Sequence, residues 1–228
     1  MTALISGDQI TALVLAGGRG ARMGGADKGL QPFRGQPLVR AALERLTAQT
    51  LRPAHIAISA NRNTDRYAAI GAAFGAPVWP DGAVVLSGHD PDGFAGPLAG
   101  ILAGLECAST PYLLTVPCDA PLFPLSLCER MGQSLQGDPA TDLAVVCCPG
   151  GEGGGAQLQP AFCLLRRDAQ GCLAHDLSDW LGAGERQARA WIMRQRHIIT
   201  RFDASTDDPH AFINANTLEQ LRRLEGDL

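Results

Sequence analysis

The segment Leu13–Lys28, LVLAGGRGARMGGADK, constrains this chain more than any other stretch. It belongs to an apolar run, Ile10–Leu15, with the continuity of a strand buried on both faces of a parallel sheet. The run breaks into Gly17-Gly18 and soon delivers Arg22, Asp27 and Lys28. A strand ending in glycine exposes backbone N–H groups at its carboxyl end, and such groups with nearby cations hold phosphate. Two well-known phosphate loops are excluded by position. In G-x-G-x-x-G, Gly18 and Gly20 fit the first two places, but Met23 takes the third. In the P-loop a glycine precedes the lysine and Ser or Thr follows it, whereas Lys28 lies between Asp27 and Gly29. What remains is L-A-G-G-x-x-x-R-M-G-x-x-D-K-G. A plain βα turn with two solvated cations needs fewer glycines than this.

Composition narrows the class. The chain has 228 residues, 46% of them hydrophobic, enough for one α/β domain with a sizeable core. Its formal net charge of -4 gives no global basic field for nucleic acid, so a polyphosphate must be held by local cations and a metal ion. Seven cysteines form no C-x-x-C pair and read as mostly buried thiols in a reducing compartment. No secretory signal or apolar run of membrane-spanning length is present, so the expectation is a cytoplasmic protein that binds neither membrane nor nucleic acid.

Strand, loop and helix alternate through the first two-thirds of the chain. After Ile10–Leu15, Pro37 opens a helix with Leu38, Val39, Ala42, Leu43 and Leu46 on one face. Strands follow at Ala54–Ala60 and Ala76–Pro80, ending in Asn61 and Asp81. Gly96-Pro97 starts a helix running to about Cys107. The strand Tyr112–Val116 ends in Pro117-Cys118-Asp119-Ala120-Pro121. Beyond it the pattern gives a helix at Pro124–Leu135, a strand at Asp142–Cys147, a glycine loop at Pro149–Gly155 and a strand beginning at Gln159-Pro160. Two helical stretches in Ala169–Gln195, an edge strand at His197–Phe202 and a last helix complete it. Asn216 and Glu219 form a capping box at that helix. The whole, residues 1–228, predicts one domain: a three-layer α/β/α sandwich with a mainly parallel, Rossmann-like sheet.

Parallel packing gathers the strand ends, and with them the glycine loop, Asn61, Gly96 and Asp119, on one edge. An aspartate there, opposite a phosphate loop, suits Mg2+, which prefers hard oxygen donors and keeps water and phosphate as its other ligands.

The motifs L-A-G-G, R-M-G-G and D-K-G, joined by G-P-L-A-G at 96–100, P-C-D-x-P at 117–121 and N-x-N-T-x-E at 214–219, resemble those of the nucleotidyltransferases that build activated sugars and cofactors. The likeness is strongest to the molybdenum cofactor guanylyltransferases and spans nearly the whole chain. It implies transfer of GMP from GTP to the terminal phosphate of molybdenum-molybdopterin, with release of pyrophosphate. It implies a nucleotide-binding part over about 10–121, an acceptor-binding part over about 122–228, and a monomer. By that resemblance Lys28 and Arg22 balance phosphate charge, Asp119 holds Mg2+, and Leu15, Ala16, Gly17, Gly18, Lys28, Asn61, Asp81, Gly96 and Asp119 surround the nucleotide. Gln159, Pro160, Asn214 and Asn216 would face the acceptor. Asn61, Asp81 and Asn216 each retain a plain reading as turn or cap residues. The resemblance also suggests exchange with a molybdenum-insertion enzyme and with recipient molybdoenzymes or their chaperones. Alternatives are a cytidylyltransferase or sugar-phosphate nucleotidyltransferase of the same fold, or a non-catalytic GTP-binding regulatory subunit. The cytidylyltransferase for the same cofactor usually has A-A-G where this chain has Ala16-Gly17-Gly18.

Overall fold

Strand β1 (Ile10–Leu15) is buried along its whole length, as a run that is apolar but for Thr11 requires. The computed structural model describes residues 4–17, 27–80, 96–150, 155–208, 210–215 and 217–226. After β1 come a 3-10 turn (Lys28–Leu30), the short hairpin β2 (Pro32–Phe33) and β3 (Gln36–Pro37), and α1 (Leu38–Thr47). Next are β4 (His55–Ser59), α2 (Thr64–Ala72), β5 (Val78–Trp79), α3 (Pro97–Cys107), β6 (Tyr112–Pro117) and α4 (Leu127–Gln136). The chain continues through β7 (Leu143–Pro149), β8 (Ala156–Arg166), α5 (Cys172–Gly182), α6 (Ala188–Arg194), β9 (His197–Arg201) and α7 (Leu218–Gly226).

Seven strands form one sheet in the order β5-β4-β1-β6-β8-β7-β9. Only β8 runs against the others, pairing antiparallel with both β6 and β7. The three layers follow from which side chains each face buries. Alternate residues of β1, Ile10, Ala12 and Val14, pack with Val39, Leu43 and Leu46 of α1, Tyr67 of α2 and Met131 and Leu135 of α4. The other set, Leu13 and Leu15, packs with Leu98, Ile101 and Leu105 of α3, Leu177 of α5 and Trp191 of α6. Residues two apart on a strand share a face, so one apolar run serves both layers. A satellite cluster of Phe33, Leu38, Ala215, Leu221 and Leu224 ties α7 to the hairpin.

The chain winds outward from β1 through β4 to β5, and α3 then carries it back to β6 on the other side of β1. The crevice at such a reversal is where open α/β sheets bind ligands. α3 crosses the sheet closely: a Cβ at Gly104 would lie 2.7 Å from Leu13 Cδ2 and 2.8 Å from Leu113 Cδ2.

Several boundaries differ from the sequence reading. The third strand shrinks to Val78–Trp79, because only Ile58 and Ser59 of β4 pair with it at the sheet edge. α4 begins at Leu127, after the turn bond from Leu127 N–H to Pro124 O. Pro149 belongs to β7, and β8 begins at Ala156, three residues before Gln159, paired with Pro149. The register jumps from Val145–Cys163 to Val146–Gln159, so Pro160 sits in a bulge, where a missing N–H is tolerated. Thr217 and Gln220 make a reciprocal capping pair at the start of α7. Thr217 Oγ1 accepts from Gln220 N, and Gln220 Oε1 accepts from Thr217 N, both at 3.1 Å. Asn216 lies outside the described residues.

Candidate active site at the sheet switch point

Three strands end in register at the crevice. Leu15 of β1 is opposite Ser59 of β4 and Pro117 of β6. Gly17, Asn61 and Asp119 each stand two residues beyond that line, so residues distant in sequence reach one rim. The strand alignment continues past the paired residues: Ala16 N–H donates to Ser59 O at 2.9 Å and Cys118 N–H to Leu15 O at 3.1 Å.

Lys28 Nζ donates to Asp119 Oδ2 at 2.9 Å across this crevice, with 20% and 15% of the two side chains exposed. That exposure is enough for a ligand to reach them and too little for bulk water to screen the pair fully. The cation after β1 and the carboxylate after β6 therefore face one another.

α3 closes one side. Gly96 adopts φ 68 and ψ -160, a conformation nearly restricted to glycine, and Pro97 fills the first helical position. A Cβ at Gly100 would lie 2.6 Å from Ser59 Oγ and 2.8 Å from Leu15 Cδ2. The first turn of α3 thus lies on the ends of β1 and β4, with backbone as its surface. On the other side, Ala215 N–H donates to Asp119 O at 2.8 Å, which sets the half-buried Asn214 beside Asp119.

The β8 residues expected to face the acceptor are differently engaged. The end of β8 that carries Gln159 and Pro160 meets the carboxyl ends of β6 and β7. Gln159 is buried, however, and its Nε2 donates to Cys148 Sγ at 3.3 Å. Pro160 O accepts from Cys163 Sγ at 3.4 Å. Arg22, Gly18 and Asp81 lie outside the described residues. Arg186 caps α5, its Nη1 donating to Leu181 O and Glu185 O at 2.8 Å each.

Sequence reasoning gave no role to Asn63 and Tyr67. The Asp27 carboxylate accepts from Asn63 Nδ2 at 2.9 Å and from the Tyr67 hydroxyl. Burial, the neighbouring Cys118 and the bond to Asp27 push the Tyr67 phenol up, so it stays a donor. The only sequence signal was an asparagine ahead of a helix, a position at which asparagine tolerates the left-handed conformation.

Burial and the adjacent Asp119 and Asp27 charges push the Cys118 thiol up. It stays protonated and is no nucleophile. The chemistry available is that of a cation and a carboxylate facing one another across a crevice, suited to charge stabilisation without a covalent protein intermediate. Among the described residues, no three His, Cys, Asp or Glu side chains converge as a metal cage. A divalent ion at Asp119 would take its other ligands from phosphate and water, as Mg2+ commonly does.

Residues 12–227 match the family model of the MobA-like NTP transferase domain. The chain belongs to that family. This transferase is 45% identical over 227 residues to a molybdenum cofactor guanylyltransferase of Acidovorax sp. (strain JS42), covering 98% of each chain. It is 46% identical over 224 residues to the protein of that name from Methylibium petroleiphilum, covering 97% of this chain and 98% of the relative. Among solved structures it resembles molybdopterin-guanine dinucleotide biosynthesis protein A of Archaeoglobus fulgidus, with a TM-score of 0.67 at 17% identity, over 95% and 97% of the two chains. It also resembles a CMP:2-keto-3-deoxy-manno-octonic acid synthetase complexed with CTP, with a TM-score of 0.68 at 12% identity, over 97% and 98%. Those structural likenesses carry the fold. Five of the seven thiols are buried, and Cys107 and Cys172 are exposed. Among the described residues, no helix is long and apolar enough to cross a membrane.

Proposed function

We propose that this transferase works as a molybdenum cofactor guanylyltransferase through the Lys28–Asp119 crevice. The reaction joins GTP to molybdenum-molybdopterin and releases pyrophosphate. A terminal phosphate oxygen of the pterin attacks the α-phosphorus of GTP in line. The new P–O bond forms as the bond to the β-bridging oxygen breaks, and pyrophosphate leaves with that electron pair. The protein supplies position and charge.

Lys28 neutralises charge growing on the α-phosphate and the departing pyrophosphate, with Arg22 assigned the same task by its motif. Gly17 and Gly18 offer backbone N–H groups to the phosphates. Leu15, Ala16, Asn61, Asp81 and the Gly96–Gly100 turn surround the nucleoside. Asp119 would hold Mg2+, which when bound would supply positive charge to offset that of the phosphates. Asn214 approaches the acceptor from the Asp119 side, and Asn216 is assigned the same task by its motif. Gln159 and Pro160 shape that wall from within, because the Gln159 amide is already bonded to Cys148.

The contact between Lys28 and Asp119 carries this reading, because it brings onto one crevice the lysine and the aspartate that the reading assigns to phosphate and to metal. The test is pyrophosphate release from GTP or CTP with Mg2+ and molybdenum-molybdopterin. Turnover with GTP well above CTP supports it. Preference for CTP would make the chain a cytidylyltransferase, and tight GTP binding without turnover would make it a regulatory subunit.

A further inference from the structure

The three residues Asp27, Lys28 and Gly29 are each fixed by something outside the loop. Asp27 is gripped by Asn63 and Tyr67. Gly29 lies under the Tyr67 ring, where a Cβ would come within 3.1 Å of Cε1 and 3.2 Å of Cζ and overlap the hydroxyl. Between them Lys28 starts a 3-10 turn closed by Gln31 N–H to Lys28 O at 3.0 Å, while Gln31 Nε2 donates to Asp27 O at 3.0 Å. Tyr67 is itself fully buried in the core of that face. Asn63 holds a left-handed conformation, φ 51 and ψ 32, one residue before α2, and that conformation precedes a helix whose fourth residue is Tyr67. The two donors therefore come from one rigid unit, the start of α2. They meet the two oxygens of one carboxylate, Oδ2 and Oδ1 respectively.

We propose that Asn63 and Tyr67 are positioning residues for Lys28: by clasping the Asp27 carboxylate they fix the turn from which the ammonium reaches Asp119 and the nucleotide phosphates. Neither touches the substrate. The consequence for catalysis rests on the function proposed above. A long, flexible lysine gains its geometry from where its backbone is held, and misplacement of about 1 Å costs up to about 10²-fold in rate. The same clasp explains why the motif carries aspartate before the lysine and glycine after it. The carboxylate accepts two bonds, and the glycine lets the tyrosine ring lie flat against the turn.

Two substitutions separate this from general stability. Asn63→Gly keeps the left-handed conformation and removes the donor; Tyr67→Phe keeps the ring and removes the hydroxyl. kcat and KM for GTP are measured for each, and again with Lys28→Ala as the background. Each variant should lower kcat on the order of 10-fold when Lys28 is present. Each should change it less than about 2-fold when Lys28 is absent, since the coupling has been removed. Equal losses in both backgrounds, or wild-type kcat in both variants, would overturn the proposal. Should Tyr67→Phe fail to fold, Asn63→Gly at its exposed position decides alone. If the wild-type protein binds GTP without turning it over, the functional reading fails. The same cycle is then read as Kd for GTP with Mg2+ by calorimetry, and coupling to Lys28 there still supports the clasp while its absence ends it.

Discussion

Lys28 Nζ lies 2.9 Å from Asp119 Oδ2, although 91 positions separate the residues and different strands deliver them. In this pair each charge is offset by the other. A triphosphate with its divalent ion would compete for both groups, phosphate for Lys28 and metal for Asp119. Lys28→Ala should therefore lower kcat/KM for GTP on the order of 10²–10³, the usual cost of deleting one charge-stabilising donor. Lys28→Arg should recover only part of that loss, because a planar guanidinium does not replace a point charge. Steady-state pyrophosphate release measures both.

Close packing of α3 on the sheet predicts a stability effect separate from chemistry. Gly104→Ala drives a methyl against Leu13 and Leu113, both fully buried. The expected cost is about 1–3 kcal/mol, seen as a lower midpoint of urea unfolding. Turnover per folded molecule should be unchanged.

Acid sensitivity should arise partly at Asp207. Burial favours its neutral form, but the bonds from Arg130 and the Ala204 N–H, with the Arg130 charge, outweigh this and hold the carboxyl below its ordinary range. Arg130 grips it through Nη1 at 2.6 Å and Nη2 at 3.3 Å. A carboxyl depressed in the folded state adds stability that is fully present above its unfolded pKa, about 3.9, and is lost as pH falls through the folded value. The stability difference between wild type and Arg130→Met should be constant above about pH 5 and shrink below about pH 4. Urea titrations across that range measure it.

Thiol labelling should follow exposure. Cys107 should react first with iodoacetamide in the native state. Cys172 should follow more slowly, because the neighbouring Asp168 carboxylate pushes its thiol up. Cys118, Cys128, Cys147, Cys148 and Cys163 should react only on unfolding, Cys128 having been pushed up to about 12 by burial. Mass spectrometry of timed samples gives the order.

Much of this was legible because it is local or periodic. Leu38, Val39, Ala42, Leu43 and Leu46 mark one face of α1 by spacing alone, and all are fully buried. Asp119 announced itself as the residue after a buried strand between two prolines. The clasp on Asp27 did not, because Asn63 and Tyr67 reach it only after α2 has packed on the sheet. Nor did the Gln159 amide, whose bond to Cys148 depends on a bulge that periodicity does not show. The length of β5 was overread because an edge strand pairs only as far as its neighbour allows. The reciprocal bonds of Thr217 and Gln220 were passed over because Asn216, one residue earlier, is an equally good cap by residue type.

The most direct measurement is the magnesium dependence of pyrophosphate release by Asp119→Ala, with circular dichroism to establish that the variant is folded. Loss of magnesium-dependent turnover with GTP by at least about 10²-fold in a folded protein is the predicted result. Near-normal, magnesium-responsive turnover in that variant would contradict the assignment of Asp119 to the metal and, with it, the site built across the crevice.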